Sequence, residues 1–283
     1  MRVLCMIAIA ACGSAGSPNS EPMQADAGGD AAPAGSRCTD DGVTLSCTYT
    51  TRVAHIGAGR EVHYQAPVGA APAAGWPVVL MFQGSLFSAE LAWSADRSVP
   101  FGGYHQVELV RELLDGGFAV IAPETKLDGN TYWDTNVPPW ATNWTTSSDH
   151  QLVQQLLSQI ADGTFGPLDP ARLHATGISS GGYMTSRMAL SYVGTFRSLA
   201  IHSASWATCS GALCVVPATL PADHPPTLFV HGTLDEVVPI STMRPYHARL
   251  QSAGIATRIE EHPEGGHAFL PATSIAAWFV AHP

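Results

Sequence analysis

The organisation of this chain is most legible in "RLHATGISSGGYMTSRMAL", residues 172–190. The first half is an apolar run of strand character and the second half has a helical pattern. The junction between them reads Gly177-Ile178-Ser179-Ser180-Gly181. A G-x-S-x-G pentapeptide between strand and helix is the signature of a nucleophile elbow, a tight, strained turn that exposes one serine. Gly177 and Gly181 serve it by omitting β-carbons where neighbouring backbone must cross closely. In that frame Ser179 is the exposed serine, and Ser180 follows it at a helix N-terminus, which helps to hold negative charge. An ordinary Gly-Ser turn fits an isolated pentapeptide equally well.

The downstream chain favours the catalytic reading. "PTLFVHGTLDEVVP", residues 226–239, is an apolar strand followed by a loop with Asp235, and "RIEEHPEGGHAF", residues 258–269, is the next strand followed by the glycine-flanked His267. Serine, acid, histidine is the chain order of α/β-hydrolases. The candidate triad is therefore Ser179, Asp235 and His267, each just beyond an expected strand. Four rivals have simpler explanations. His262 ends the last strand, His231 precedes Gly232 in a turn, Asp149 sits at a helix start where capping accounts for it, and Glu236 points away from its neighbour Asp235. The oxyanion hole needs two backbone donors. Ser180 supplies one, and Ser85 in "MFQGSLFSAELAW", residues 81–93, supplies the other unless this is a plain polar surface loop.

From residue 43 onward, β-rich runs alternate with amphipathic patterns. Strands are expected at 43–55, 61–66, 77–83, 118–123, 172–178, 198–203, 226–231 and 256–262. "PVVLMF" and "FAVIAP" are apolar throughout, as suits strands covered on both faces. Helices are expected at 105–115, at 148–161 with Ser148 and Gln151 at capping-box spacing, from Ser241 to about Gly254, and at 273–281. A first hairpin and then βα alternation predicts an α/β-hydrolase fold: a mostly parallel central sheet of about eight strands with helices on both faces.

The 283 residues, 46% hydrophobic and 13% charged, suit one large domain. The net charge is −10 and Lys126 is the sole lysine, so there is no basic footprint for nucleic acid. Arg2 and the apolar run from Val3 to Ala11 have signal-peptide anatomy but are too short to span a bilayer. Ile9-Ala10-Ala11-Cys12 resembles a bacterial lipobox, so the expectation is export with Cys12 as a lipid-bearing residue, or plain secretion. Residues 1–12 are read as signal peptide and lipobox, 13–36 as a flexible Gly/Ala/Ser/Pro tether and 37–283 as a single catalytic domain. Membrane contact would come only through the anchor, and a monomer is expected. Cys38 with Cys47 and Cys209 with Cys214 are expected as disulfides in an exported chain; buried free thiols are the alternative, and their spacing does not suit zinc.

The aromatic loops bear on substrate. "TYWDTNVPPWATNW", residues 131–144, carries Tyr132, Trp133, Trp140 and Trp144, and Trp206 closes "HSASW". Both loops belong at the C-terminal edge of the sheet, beside the serine. The rings either bind an acyl chain or polymer or only pack the loops down; Trp133 and Trp206 are the first candidates for binding.

"GISSGGYM", "HGTLDEVVP" and "GGHAF" together resemble the extracellular polyhydroxyalkanoate depolymerases, especially those acting on medium-chain polyesters, within the wider polyhydroxybutyrate depolymerase and feruloyl esterase group. The resemblance spans most of residues 40–283. It implies hydrolysis of poly(3-hydroxyalkanoate) esters through an acyl-enzyme on Ser179, without metal or cofactor. Gln83 stands where many relatives have histidine. A carbohydrate esterase of the feruloyl or acetyl-xylan kind is the alternative, with a serine peptidase behind it. A surface-binding lipoprotein on an inactive hydrolase scaffold conflicts with the complete triad.

Overall fold

The structure is a computed structural model and describes residues 35–55, 59–126, 132–210 and 214–283. The signal peptide, the lipobox with Cys12, and all but the last two residues of the expected tether lie outside the described residues.

In chain order the strands are β1 (Cys38–Asp40), β2 (Thr44–Cys47), β3 (Thr50–Ala54), β4 (Arg60–Gln65), β5 (Trp76–Phe82), β6 (Ser94–Asp96), β7 (Ala119–Pro123), β8 (Leu168–Ile178), β9 (Phe196–His202), β10 (Thr227–Gly232) and β11 (Thr257–His262). The helices are α1 (Gly103–Asp115), α2 (Ser148–Ala161), α3 (Ser180–Ser191), α4 (Ile240–Ser252) and α5 (Ser274–Ala281). Eight strands form one sheet in the order β11-β10-β9-β8-β5-β7-β4-β3. β4 runs antiparallel to both its neighbours, and all other pairs are parallel. The expected α/β-hydrolase fold is therefore the observed one.

The apolar runs explain the layering. Alternate residues of a strand face opposite ways, and in β5 both sets are buried. Val79 and Met81 pack in one core with Val107, Val110, Leu113 and Leu114 of α1 and with Ile275 and Phe279 of α5. Val78, Leu80 and Phe82 pack on the other face with α2 and with Met184 and Met188 of α3. A third cluster joins Ile201 and Phe229 to Met243, Tyr246 and Leu250 of α4. β5 lies between β7 and β8, so the loops leaving β5 and β8 at their carboxyl ends meet where strand order switches. That edge is where open α/β sheets hold their ligands.

Two expectations change in detail. The stretch 43–55 is two strands in two sheets: β2 pairs with β1 and β6 in a small antiparallel sheet, whereas β3 pairs with β4 at the edge of the large one. The Cys38–Cys47 disulfide and the Cys47 N–H donated to Trp93 O at 2.7 Å hold the chain in the small sheet and break it before Thr50. At α2 the cap is Ser147, whose Oγ accepts the His150 N–H at 3.0 Å; it is not Ser148. Ser148 Oγ accepts instead from Arg60 at 2.6 Å, and Asp149 pairs with the same guanidinium at 2.5 Å. Both partners of that ion pair are buried, so the carboxylate holds a buried charge as well as occupying the first helical turn.

Candidate active site

β8 passes into α3 through Ser179, whose φ of 54° and ψ of −121° lie outside the regions an L-residue prefers. Such a conformation costs on the order of 1–3 kcal/mol and survives only where the surroundings over-determine it. Here the Ser179 N–H donates to His202 O at 3.1 Å and its carbonyl accepts the Tyr183 N–H at 2.9 Å. The glycines let β5 come close. A Cβ on Gly181 would lie 2.0 Å from Phe82 O, and one on Gly177 would lie 2.5 Å from the same oxygen. Gly182, outside the pentapeptide, is equally constrained, since a Cβ there would meet the Ala204 Cβ at 2.5 Å. Gly181→Ala is therefore expected to lower stability by more than about 3 kcal/mol, the upper end of ordinary substitutions. A urea midpoint equal to that of the parent would mean that the elbow can shift away from β5.

The acid and the histidine come from two loops pressed together. A Cβ on Gly232 would meet Gly265 O at 2.2 Å, and the Leu234 N–H donates to the same carbonyl at 2.9 Å. Asp235 Oδ1 accepts the N–H groups of Val237 at 3.0 Å and Val238 at 2.7 Å. His267 Nδ1–H donates to Asp235 Oδ2 at 2.9 Å and approaches Oδ1 at 3.1 Å. Burial alone would raise the Asp235 carboxyl pKa, but bonds from His231, His267 and the Val238 N–H outweigh it and hold the group well below the usual carboxylate range. The anion thereby keeps the proton of neutral His267 on Nδ1 and leaves Nε2 as its basic nitrogen.

His231, within the expected strand 226–231, is buried in β10; its Nε2–H donates to Val238 O at 2.8 Å and lies 3.4 Å from Asp235 Oδ2. It thus braces the acid. Glu236 is exposed. Ser179 and His267 line one cavity but share no hydrogen bond among the described residues, a separation that catalytic pairs commonly show before substrate tightens them.

That cavity, of about 210 Å³, is walled by Leu86, Phe87, Phe101, Ile178 and Val237. Leu86 and Val237 are 79% and 59% exposed, so the apolar wall continues outward as a rim. Leu86 and Phe101 both take left-handed backbone conformations, with φ of 68° and 54°. Phe101 is held in place by its carbonyl, which accepts the Phe269 N–H at 2.7 Å, and its ring meets Phe87 and His267 edge-on. None of these wall residues was singled out from sequence. The signal available was an apolar residue beside a site motif in two loops, "GSLF" and "DEVVP"; Phe101 in "VPFGG" lies in a loop with no such motif.

The five aromatic candidates do not line this cavity. Trp133 is fully buried, edge-on to Phe82 at 5.2 Å. Trp206 is buried against Tyr246 at 5.0 Å, and Trp144 is buried with its Nε1–H on Tyr192 Oη. Tyr132 and Trp140 are half-buried, the latter beneath the Lys126 ammonium at 4.5 Å. For the three buried tryptophans the reason is simple: burying a large ring inside its own fold competes with presenting it to a ligand. The oxyanion candidates fare differently. Ser85 lines the cavity, Gly84 is close enough to the elbow that a Cβ on it would lie 3.8 Å from the Ser179 Cβ, and Ser180 opens α3, where N–H groups lack helical partners. The disulfides Cys38–Cys47 and Cys209–Cys214 are both formed.

The profile of the Dienelactone hydrolase family matches residues 100–278, a span that includes Ser179, Asp235 and His267. The chain belongs to that family. As a dienelactone hydrolase family member, within the α/β-hydrolase superfamily, it is a carboxylic ester hydrolase. It is 49% identical over 265 residues to the poly(3-hydroxyoctanoate) depolymerase of Pseudomonas fluorescens, a match covering 90% of this chain and 94% of that protein. Among solved structures it is similar to an S-formylglutathione hydrolase from Agrobacterium tumefaciens, with 16% identity, a TM-score of 0.58, and coverage of 87% of this chain and 98% of the other. A thermostable esterase gives the same identity and TM-score over 83% of this chain and 60% of its own. At such identities the structural likeness concerns the fold alone.

Proposed function

We propose that the protein is an exported serine esterase that cleaves medium-chain poly(3-hydroxyalkanoate) or its oligomers. The cavity at Ser179 carries this reading. Its apolar wall favours an aliphatic group over a sugar, and about 210 Å³ is below the roughly 300–1,000 Å³ of sites that engulf a drug-sized ligand. One repeating unit fits inside, and neighbouring units lie across the exposed Leu86, Phe101 and Val237. The 49% identity to a protein named for poly(3-hydroxyoctanoate) supports the same substrate class.

In this reading Ser179 Oγ adds to the ester carbonyl while its proton passes to His267 Nε2, and Asp235 stabilises the imidazolium. The oxyanion is held by the N–H groups of Ser180 and Ser85. Collapse expels the alcohol, which takes the proton from His267, and leaves an acyl group on Ser179. Water, deprotonated by the same histidine, then releases the hydroxy acid. The two disulfides suit an oxidising compartment, which supports export of residues 37–283 as one catalytic domain, either lipid-anchored at Cys12 or free.

The deciding measurement sets clearing of a poly(3-hydroxyoctanoate) latex beside ferulate release from plant-wall esters and acetate release from acetylated xylan. Clearing with release of hydroxy acids is expected. Faster turnover of either carbohydrate ester, with an unchanged latex, would favour the carbohydrate esterase instead.

A further inference from the structure

Trp133 has no access to substrate, yet it touches both halves of the proposed oxyanion hole. Its indole Nε1–H donates to Gln83 O at 3.0 Å, and its main-chain N–H donates to Ser180 Oγ at 2.9 Å. Gln83 is the last residue before Gly84-Ser85, and Ser180 is the residue after the nucleophile. One residue thus bridges the loop leaving β5 and the first turn of α3.

We propose that Trp133 is a positioning residue that sets the distance between the two oxyanion donors; the proposal rests on the oxyanion-hole assignment above. Three features of the surroundings support it. First, the segment around Trp133 is anchored by several hydrogen bonds besides its own. The Asp134 N–H donates to buried Asp149 at 2.6 Å, Arg187 donates to both Thr135 Oγ1 and Thr135 O, and the Asn136 side chain donates to Cys209 O at 3.0 Å. A residue tied down on so many sides can hold others in place. Second, the β5 loop is pinned again from its far side. Glu124 accepts from Gln83 Nε2 at 2.7 Å with one oxygen and from the Ala89 N–H at 2.8 Å with the other, so Gly84 and Ser85 hang between fixed points. Third, both groups met by Trp133 are buried, where a hydrogen bond left unmade is costly and the geometry is correspondingly well defined.

The function of such a brace follows from the chemistry it flanks. Donors aimed at a developing oxyanion are useful in proportion to their preorganisation, and small misplacements are expensive. The ester ground state needs these donors far less than the tetrahedral intermediate does. Loosening the brace should therefore slow turnover without weakening substrate binding.

The variant Trp133→Phe keeps an aromatic ring edge-on to Phe82 and removes the indole donor; Ser180→Ala removes the acceptor of the other bond; Ser180→Thr retains a hydroxyl. With p-nitrophenyl octanoate, Trp133→Phe and Ser180→Ala are expected to lower kcat by about ten-fold or more with KM changed less than two-fold, a fraction of the roughly 10²–10³ lost when a donor is removed outright. Affinity for an alkyl trifluoromethyl ketone, which becomes an oxyanion on the serine, should fall by the same factor as kcat, and Ser180→Thr should recover most of both. The proposal is overturned if folded Trp133→Phe or folded Ser180→Ala keeps parental kcat, or if kcat falls while ketone affinity does not. Should Trp133→Phe not fold, Ser180→Ala and its threonine counterpart decide alone. An active Ser179→Ala would overturn the site assignment itself, whereas an inert Ser179→Ala with fully active brace variants would overturn only the brace.

Discussion

Ser179→Ala is expected to reduce kcat for p-nitrophenyl octanoate by roughly a factor of 10⁶, the loss seen when a triad nucleophile is removed and the members can no longer act as a unit. The residue is a clean target. Its Oγ makes no hydrogen bond among the described residues, and alanine occupies the same left-handed conformation without a larger side chain, so the strained turn is neither relieved nor worsened. The urea midpoint should accordingly stay where it is. An organophosphate should add to one residue of the parent protein and to none of the variant, read by intact mass. Retained turnover would show that another nucleophile does the work. A collapse of stability alongside activity would show that the serine also holds the elbow together.

The second large effect concerns acid. Three histidines are buried in their neutral form. His202 is depressed to about 3 by burial, with His262 and His231 adding to the effect, and His174 to about 3 by burial and then the nearby Arg172, Arg197 and His282. His224 falls to about 4, again chiefly by burial, although its bonds to backbone oppose the shift. Its Nδ1–H donates to Pro225 O and its Nε2 accepts from Tyr246 Oη, a pattern only the neutral ring can make. An unfolded histidine titrates near 6.5. Below that pH the unfolded chain binds protons that the folded protein refuses, so stability is fully present above about 6.5 and is lost as pH falls toward the folded values.

Each group contributes about 1.4 kcal/mol per pH unit in that window, so the three together give about 4. Asp134 offsets part of this, because burial raises its carboxyl pKa and the folded state then binds a proton too. Urea midpoints between pH 7 and pH 4.5 should fall steeply. In His202→Phe, which keeps an aromatic ring against Phe269, the slope should lessen by about a third. Midpoints independent of pH across that range would contradict this account.

These two expectations draw on different levels of the molecule. Ser179 stands out in sequence because an elbow is local: the glycines, the serine and the change from strand to helix lie within a few residues. Asp235 follows because it sits just beyond the apolar strand β10, and His267 because it is glycine-flanked and comes after the acid in chain order. The histidines that set the acid response carry no such mark. His174 and His202 are buried because segments far along the chain close over them, with His174 stacked on Phe279 of α5 and His202 on Phe269 in the loop after β11.

By itself, then, the sequence determined what periodicity and short motifs can carry: the mostly parallel sheet with helices on both faces, the order of the proposed triad, and the cysteines available to pair. Only the tertiary structure decided which apolar side chains reach the serine and which are consumed as core. Trp133 bonds to Gln83, 50 residues away, and to Ser180, 47 residues away; no local pattern says whether a loop tryptophan turns outward to a substrate or inward to such partners. The same holds for Leu86 and Phe101, which become cavity wall through backbone conformations that their side chains do not prefer. The physical reason is common to both. Burial is settled by total packing across the sheet, and a ring or an aliphatic chain gains about as much from covering its own core as from covering a ligand.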